Sequence, residues 1–242
     1  MLSSGRSRLI GVVAVVLVIA AGFGVWWVFF RDDAPSEANI DTASETLDEA
    51  EGDAGSSDGD INGTWAVDGD IGSDDDDTST FVGYRMQEEL AGIGSNTAVG
   101  RTHDVTGSVT VDGDQVTEAT FEVDMTTLES DEDRRDGALR DRGLQTNEFP
   151  TATFTLTEPF ALPADQAQAT VTAVGDLELH GVTQQVSLEI DATLDGTTAA
   201  LVGSLPVALA DYDIEAPTIP GRVLSVEDNG ELEFQIFLTK ES

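Results

Sequence analysis

Residues 116–160 read VTEATFEVDMTTL (116–128), ESDEDRRDGALRDRGLQTNEFP (129–150) and TATFTLTEPF (151–160). In the first piece Phe121, Val123 and Met125 alternate with Thr120, Glu122 and Asp124, the period-2 pattern of a half-buried strand. The last piece repeats it, with Phe154 and Leu156 set against Thr153, Thr155 and Thr157. The middle piece carries helix signals. Ser130 is placed to cap, Asp131, Glu132 and Asp133 fall in the first turn, Arg134, Arg135, Arg140 and Arg142 follow, and Gly143 offers a left-handed stop. The stretch is therefore strand, short polar helix, strand.

Outward from it, the chain is all-β. Thr64–Val67 carries Trp65 and Thr80–Met86 carries Phe81 and Tyr84. His103–Val111 ends at Asp112-Gly113, a two-residue hairpin signal, and Val116–Met125 returns. After the helical insert come Ala152–Phe160 and Ala169–Leu179. Gly181 turns the chain into Gln184–Leu194, where Val186, Leu188, Ile190 and Ala192 alternate with polar residues, and Asp195-Gly196 turns it into Thr198–Leu209. A Pro-containing loop, Asp211–Arg222, leads to Glu231–Thr239, where Leu232, Phe234, Ile236 and Leu238 share a face. Eight or nine antiparallel strands with one apolar face either pack as a sandwich or close as a barrel.

Before residue 63 the composition changes twice. Leu9–Phe30 is 22 residues without a charge, which as a helix of about 1.5 Å per residue spans roughly 33 Å, the thickness of a bilayer core. Arg6 and Arg8 precede it, favouring a cytoplasmic N-terminus for residues 1–8, and Trp26 and Trp27 sit near its outer end. A cleaved signal peptide is the competing reading. Cleavage after Ala20-Ala21-Gly22 would leave GVWWVFF exposed, so an uncleaved transmembrane signal anchor over 9–30 is the expectation. Residues 31–62 hold 11 acids after Arg31 with no Lys or further Arg, and read as a disordered acidic linker. The third unit, 63–242, is the β domain.

Charge excludes some partners. The 242 residues carry a net −36 with no Cys. Nucleic acid would be repelled. Residues 63–242 hold eight basic and 36 acidic residues, a net −28, so a pyrophosphate would meet a repulsive field and a neutral ligand is favoured. Catalytic and metal motifs fail on inspection. His103 and His180 have no Cys or third His beside them for a zinc site, and each reads as a turn histidine bonding its own loop. Asp58-x-Asp60-x-Asn62-Gly63 begins like a calcium loop but has Gly69 at the twelfth position where Glu is needed. Asp74–Asp77 reads as a solvated loop, and no nucleophile motif or triad is present. The chain reads as no enzyme.

What remains is an apolar inward set: Phe81, Tyr84, Phe121, Val123, Met125, Phe154, Leu156, Val171, Leu177, Leu179, Leu188, Ile190, Phe234 and Ile236. These residues either fill a core or line a cavity.

The order and spacing of several segments resemble the YceI-like family. They are Trp65-Ala-Val-Asp68, Val105-Thr-Gly-Ser-Val-Thr-Val-Asp-Gly113, Thr127-Leu128 with Arg135-Asp136, Phe149-Pro150-Thr-Ala-Thr-Phe154, and Gly175-Asp-Leu-Glu-Leu-His180-Gly181-Val182-Thr183. The resemblance covers essentially all of 63–242. It implies a lipocalin-like antiparallel β-barrel of about eight strands whose cavity, lined by the inward set, binds an isoprenoid-like or other amphiphilic lipid such as a quinone or polyprenol. Where many members carry Arg ahead of Asp-Phe-Gly, this chain has Leu209-Ala210-Asp211-Tyr212-Asp213 and no basic residue. The expectation is a single-pass protein of the cell membrane with its barrel outside the cytoplasm, the insert Ser130–Gly143 at the barrel rim, and no cofactor beyond the lipid ligand. The expected partners are that lipid, the membrane through residues 9–30, and a second copy in a homodimer. The alternative is a packed structural or interaction module displayed on a stalk, without ligand.

Overall fold

Turn chemistry sets where the strands end. Gly113, Gly181 and Gly196 all have positive φ, and each closes a hairpin between long strands. The computed structural model describes residues 34–51, 60–163, 168–218 and 220–241. Among them are two α-helices, α1 (Ile40–Glu51) and α2 (Asp133–Asp141), and thirteen strands. The strands are β1 (Gly63–Val67), β2 (Phe81–Leu90), β3 (Gly94–Thr102), β4 (Val105–Asp112), β5 (Gln115–Asp124), β6 (Glu129–Ser130) and β7 (Thr151–Glu158). They continue as β8 (Phe160–Ala161), β9 (Gln168–Leu179), β10 (Val182–Asp195), β11 (Thr198–Ala208), β12 (Val223–Val226) and β13 (Asn229–Lys240).

Eight of these close an antiparallel barrel in the order β1-β4-β5-β7-β9-β10-β11-β13 and back to β1. The free edge of β13 is shared. Its last residues pair with β1 (Val67 opposite Leu238), and its first with β2 (Arg85 opposite Glu231). Strand β2 then carries β3 on one side and the short β12 beside its end. The end of the barrel near Asn229 is termed upper and the end near Lys240 lower. The expected alternation holds on β5, β7, β9, β10 and β13, with Val123, Leu177, Leu188 and Ile236 turned into the bore.

Three expectations are corrected. The first concerns the linker. Residues 40–51, inside the stretch read as disordered, form α1 and pack on the outer wall. Ala43 and Leu47 are buried against Ile71, Ala200, Val202 and Phe237. The spacing of Ile40, Ala43 and Leu47 supplies a narrow apolar stripe, while Asp41, Glu45, Asp48 and Glu49 face water. The second is the helix boundary. Glu132, not Ser130, holds the N-cap position of α2 and makes no side-chain cap bond. Ser130 belongs to β6, and the Asp136 carboxylate accepts from its backbone N–H at 3.1 Å and its hydroxyl at 2.6 Å. The third is the stop. The left-handed residue after α2 is Gln145. Gly143 is instead needed for close approach, because a Cβ there would sit 3.0 Å from Pro217. Strand β3 is an addition. Its polar sequence, Gly94-Ser-Asn-Thr, lacks a strand signal, and pairing with β2 holds it extended. The anchor reading of 9–30 lies outside the described residues. Among the described residues no helix is long and apolar enough to cross a membrane.

Candidate functional site

The bore is not filled. Glycines on the strands beside them give the large rings inside it a flat place to lie. Tyr84 lies over Gly100, Phe121 over Gly107, Phe154 over Gly175 and Phe234 over Gly203. A Cβ at those four glycines would fall 2.5, 2.7, 2.4 and 2.5 Å from the respective ring. Laid flat on the wall, the rings leave the axis free, which is the use of a strand glycine where another group must come close.

The free space forms two compartments. The upper has a volume of about 200 Å³ and is walled almost wholly by carbon. Of the inward set named from sequence, it gathers Tyr84, Phe121, Val123 and Met125 from β2, β5 and the turn after β5. It also gathers Phe154, Leu177 and Leu179 from β7 and β9, and Leu188, Ile190, Phe234 and Ile236 from β10 and β13. The lower compartment, about 130 Å³, adds Leu156 and Val171 and shares Phe121, Phe154 and Ile190 with the upper. Phe81 is the exception and corrects the sequence reading. It precedes the inward Val82, so it points out of the barrel, under the Arg101 guanidinium at 4.0 Å and edge-on to His103.

The upper end is framed by groups with weak sequence signals. Ala138 and Leu139 of α2, Leu144, the turn Leu209–Tyr212, Ile214, Pro217 and Val223 close around it. His180, at a left-handed turn position, ties this end together. Its Nδ1 lies 2.9 Å from the Tyr212 carbonyl, its Nε2 lies 3.2 Å from the Gln145 side-chain oxygen, and its ring packs on Phe149. It thus bonds two other loops rather than its own, and it is a structural histidine.

One polar notch interrupts the apolar wall. Glu88, inward on β2 and buried, pairs with Arg135 of α2 at 2.6 Å and accepts from Asn96 Nδ2 at 3.0 Å. Arg135 also reaches Ser130 Oγ at 3.2 Å and the Asp131 carboxylate. Tyr84 stands beside them. Its Oη and the Nε–H of Arg135 are both buried and without a hydrogen-bond partner, the Ser130 hydroxyl lying near the phenol without regular geometry. Burial pushes the Tyr84 phenol far above its ordinary range, with Glu88 and Asp136 acting the same way, so it stays protonated. Burial works against the charge of Arg135, and Glu88, with Asp131 and Tyr84 adding to it, more than offsets it. An unmet buried donor costs about 1–3 kcal/mol. Both such donors belong to side chains that line the upper compartment. Tyr84 was legible as an inward residue. Glu88 was not, because a single acid in an acidic chain carries no signal.

Among the described residues no group of three or more His, Cys, Asp and Glu side chains is arranged to hold a metal ion.

Comparison with known proteins agrees with this architecture. A UPF0312 protein of Shewanella denitrificans is 30% identical over 139 residues, covering 54% of this chain and 71% of the relative. One of Vibrio parahaemolyticus is 28% identical over 135 residues, covering 52% of this chain and 69% of the relative. Among solved structures, a polyisoprenoid binding domain from Saccharophagus degradans aligns with a TM-score of 0.56 at 18% identity, over 73% of this chain and 98% of that one. BcnA of Burkholderia cenocepacia aligns with a TM-score of 0.50 at 15% identity, over 65% and 94%. At such identities these structures speak for the fold. The YceI-like domain profile matches residues 74–238, which take in the strands from β2 onward, α2 and the polar notch, and the chain belongs to the YceI-like family.

Proposed function

We propose that the barrel binds one amphiphilic lipid of isoprenoid kind with an uncharged head, such as a quinone or a polyprenol. The tail lies in the upper compartment and the head accepts hydrogen bonds from Tyr84 Oη and Arg135 Nε. The observation that carries this reading is the pair of unpartnered buried donors on two side chains that line an otherwise apolar bore. The Saccharophagus degradans barrel, a polyisoprenoid binding domain, supports the tail. The head follows from charge. Arg135 is already matched by Glu88, and a phosphate would add an unpaired negative charge to a notch inside a strongly acidic domain. The protein is a carrier or reservoir rather than an enzyme. Residues 9–30 tether it to the cytoplasmic membrane with the barrel outside, close to the lipids it would exchange.

The packed-module reading has one observation in its favour. The upper compartment, about 200 Å³, is smaller than the roughly 300–1,000 Å³ of usual small-molecule sites. Calorimetric titration of the full chain in neutral detergent with a short-chain ubiquinone, farnesol and farnesyl phosphate separates the readings. The quinone and the prenol are expected to bind, and the phosphate about tenfold more weakly, a difference of about 1.4 kcal/mol. The phosphate binding tightest overturns the neutral head. No binding by any of the three returns the barrel to the packed-module reading.

A further inference from the structure

The segment docked on the outer wall decides which end of the barrel the N-terminal part of the chain reaches. Strand β1 follows residues 31–62 and starts at the lower end, where Trp65 lies opposite Lys240. A free linker would leave the barrel there. The docked segment begins at the other end. The Pro35 and Ser36 carbonyls accept from Arg85 and Arg101 at 2.6 and 2.5 Å, and Arg85 lies opposite Glu231, near the upper end of β13. From there the chain descends the wall to Ala43 and Leu47, which pack on Ala200 and Phe237, a strand pair further down. Four residues separate Phe30 from Pro35, a step that full extension limits to about 18 Å. The lower end at Lys240 lies nine residues beyond Glu231, about 30 Å along the strand. The link is too short to bring that end to a bilayer that holds residues 9–30.

The upper end carries apolar surface. Among the described residues two large apolar side chains are exposed, Ile93 at 52% and Leu224 at 60%. Both lie beyond the end of the barrel proper. Past Arg85, strand β2 outruns its pairing with β13 and pairs with β12, Val223 opposite Leu90. The Ala91 N–H donates to the Arg222 carbonyl at 2.7 Å, and Ile93 belongs to the turn that follows. From Arg85 to Leu90 the strand rises about 17 Å, so the β2–β3 turn stands about as far above Pro35 as the link can reach. Val223, beside Leu224, borders the upper compartment. Single exposed apolar residues are ordinary on a surface. These two stand at the end to which the docked segment brings the chain.

We propose that the β2–β3 turn and β12 form a membrane-docking surface, with Ile93 and Leu224 entering the headgroup layer. The docked segment 34–51 holds the barrel upright on it. This rests on the tether proposed above and turns the upper compartment toward the lipids it would exchange. Charge sets the kind of membrane. Glu89, Glu227 and Asp228 are exposed beside the patch, and Arg222 is matched by Glu132 at 2.5 Å. The surface therefore fits headgroups without net charge, and anionic lipid repels it.

The chain has no Cys, so Ala91→Cys and Thr197→Cys each place one environment-sensitive nitrobenzoxadiazole label, at the upper turn and at the lower β10–β11 turn. The labelled full chain is reconstituted in phosphatidylcholine vesicles that contain doxyl lipid. The label at position 91 should be quenched and blue-shifted, and the label at 197 should behave as in water. Added phosphatidylglycerol should reduce quenching at 91, and so should Ile93→Ser with Leu224→Ser. Inserting about 15 Gly and Ser residues after Asp33, a coil spanning about 20 Å, leaves the barrel's contacts intact and should also reduce it. Quenching at 197 equal to that at 91, or at neither position in vesicles that retain the chain, overturns the surface. Quenching at 91 that survives the insertion undiminished overturns the role of the docked segment. Self-quenching between labels at 91 that persists on dilution with lipid assigns the patch to a second copy and overturns the membrane. A chain that does not float with the vesicles overturns the tether together with this surface. Quenching at 91 in a chain that binds no prenol supports the surface and removes only the lipid-binding reading.

Discussion

The molecule buries two arginine–glutamate clusters, one on each side of the barrel wall, and they are finished to different degrees. Outside, Glu233 of β13 binds Arg85 at 2.7 Å and Arg101 at 2.8 Å. The remaining donors of those arginines go to the Pro35 and Ser36 carbonyls and to Asp77, and the Ala38 N–H returns to Glu233 at 3.3 Å. The segment leading into α1 is strapped over this cluster and completes it. Inside, Glu88 and Arg135 pair equally closely, yet Arg135 Nε and Tyr84 Oη are left over. The same chemistry forms a closed joint in one place and leaves two donors over in the other. Satisfaction of donors, more than the presence of charge, distinguishes the two clusters.

That contrast breaks most sharply at Glu233. Glu233→Ala strands two buried guanidinium groups, and denaturant unfolding should show a loss of about 3–5 kcal/mol. Leu47→Ala removes the main apolar contact of α1. It should cost about 2–3 kcal/mol, the lower part of the range for a buried leucine, and proteolysis within 34–51 should accelerate as the helix detaches. Tyr84→Phe should act in opposite directions on binding and stability. Losing one hydrogen bond of about 1 kcal/mol weakens lipid binding about fivefold in titration calorimetry. The ligand-free protein should be as stable or more stable, because an unmet buried hydroxyl is gone. A variant that loses stability and keeps its affinity would make Tyr84 a structural residue like those outside.

The smallest effect is alkaline. Both tyrosines, Tyr84 and Tyr212, are pushed above the ordinary 10.0 by burial. Their protonated forms are thus favoured in the folded state. The unfolded chain holds fewer protons once pH passes about 10, so stability is complete below that point and falls above it. Unfolding midpoints measured against pH should show this decline. Tyr84→Phe should flatten the slope.

Much of this was readable from residues. Alternation in β5, β7, β9, β10 and β13 places their inward faces, because one wrong register would turn each set outward to water. Phe81 was misread for the same reason. A lone aromatic at a strand start has no period to orient it, and the neighbouring Val82 and Tyr84 take the inward side. The helix α1 was hidden by its acids, which composition weighs and a stripe of Ile40, Ala43 and Leu47 barely offsets. The polar notch was out of reach. It joins Tyr84 and Glu88 of β2 to Arg135 of α2, 47 residues beyond Glu88, and its defining feature is two absent hydrogen bonds, which no residue pattern encodes. The glycines under the rings were visible only as strand breakers, while their role depends on which ring the neighbouring strand supplies.

Native mass spectrometry of the full chain in neutral detergent, followed by organic extraction, tests the central claim most directly. The account predicts one neutral prenyl lipid per chain, lost or weakened in Tyr84→Phe. A chain that stays free of ligand after incubation with quinones and polyprenols, or that carries a polyprenyl phosphate instead, would contradict it.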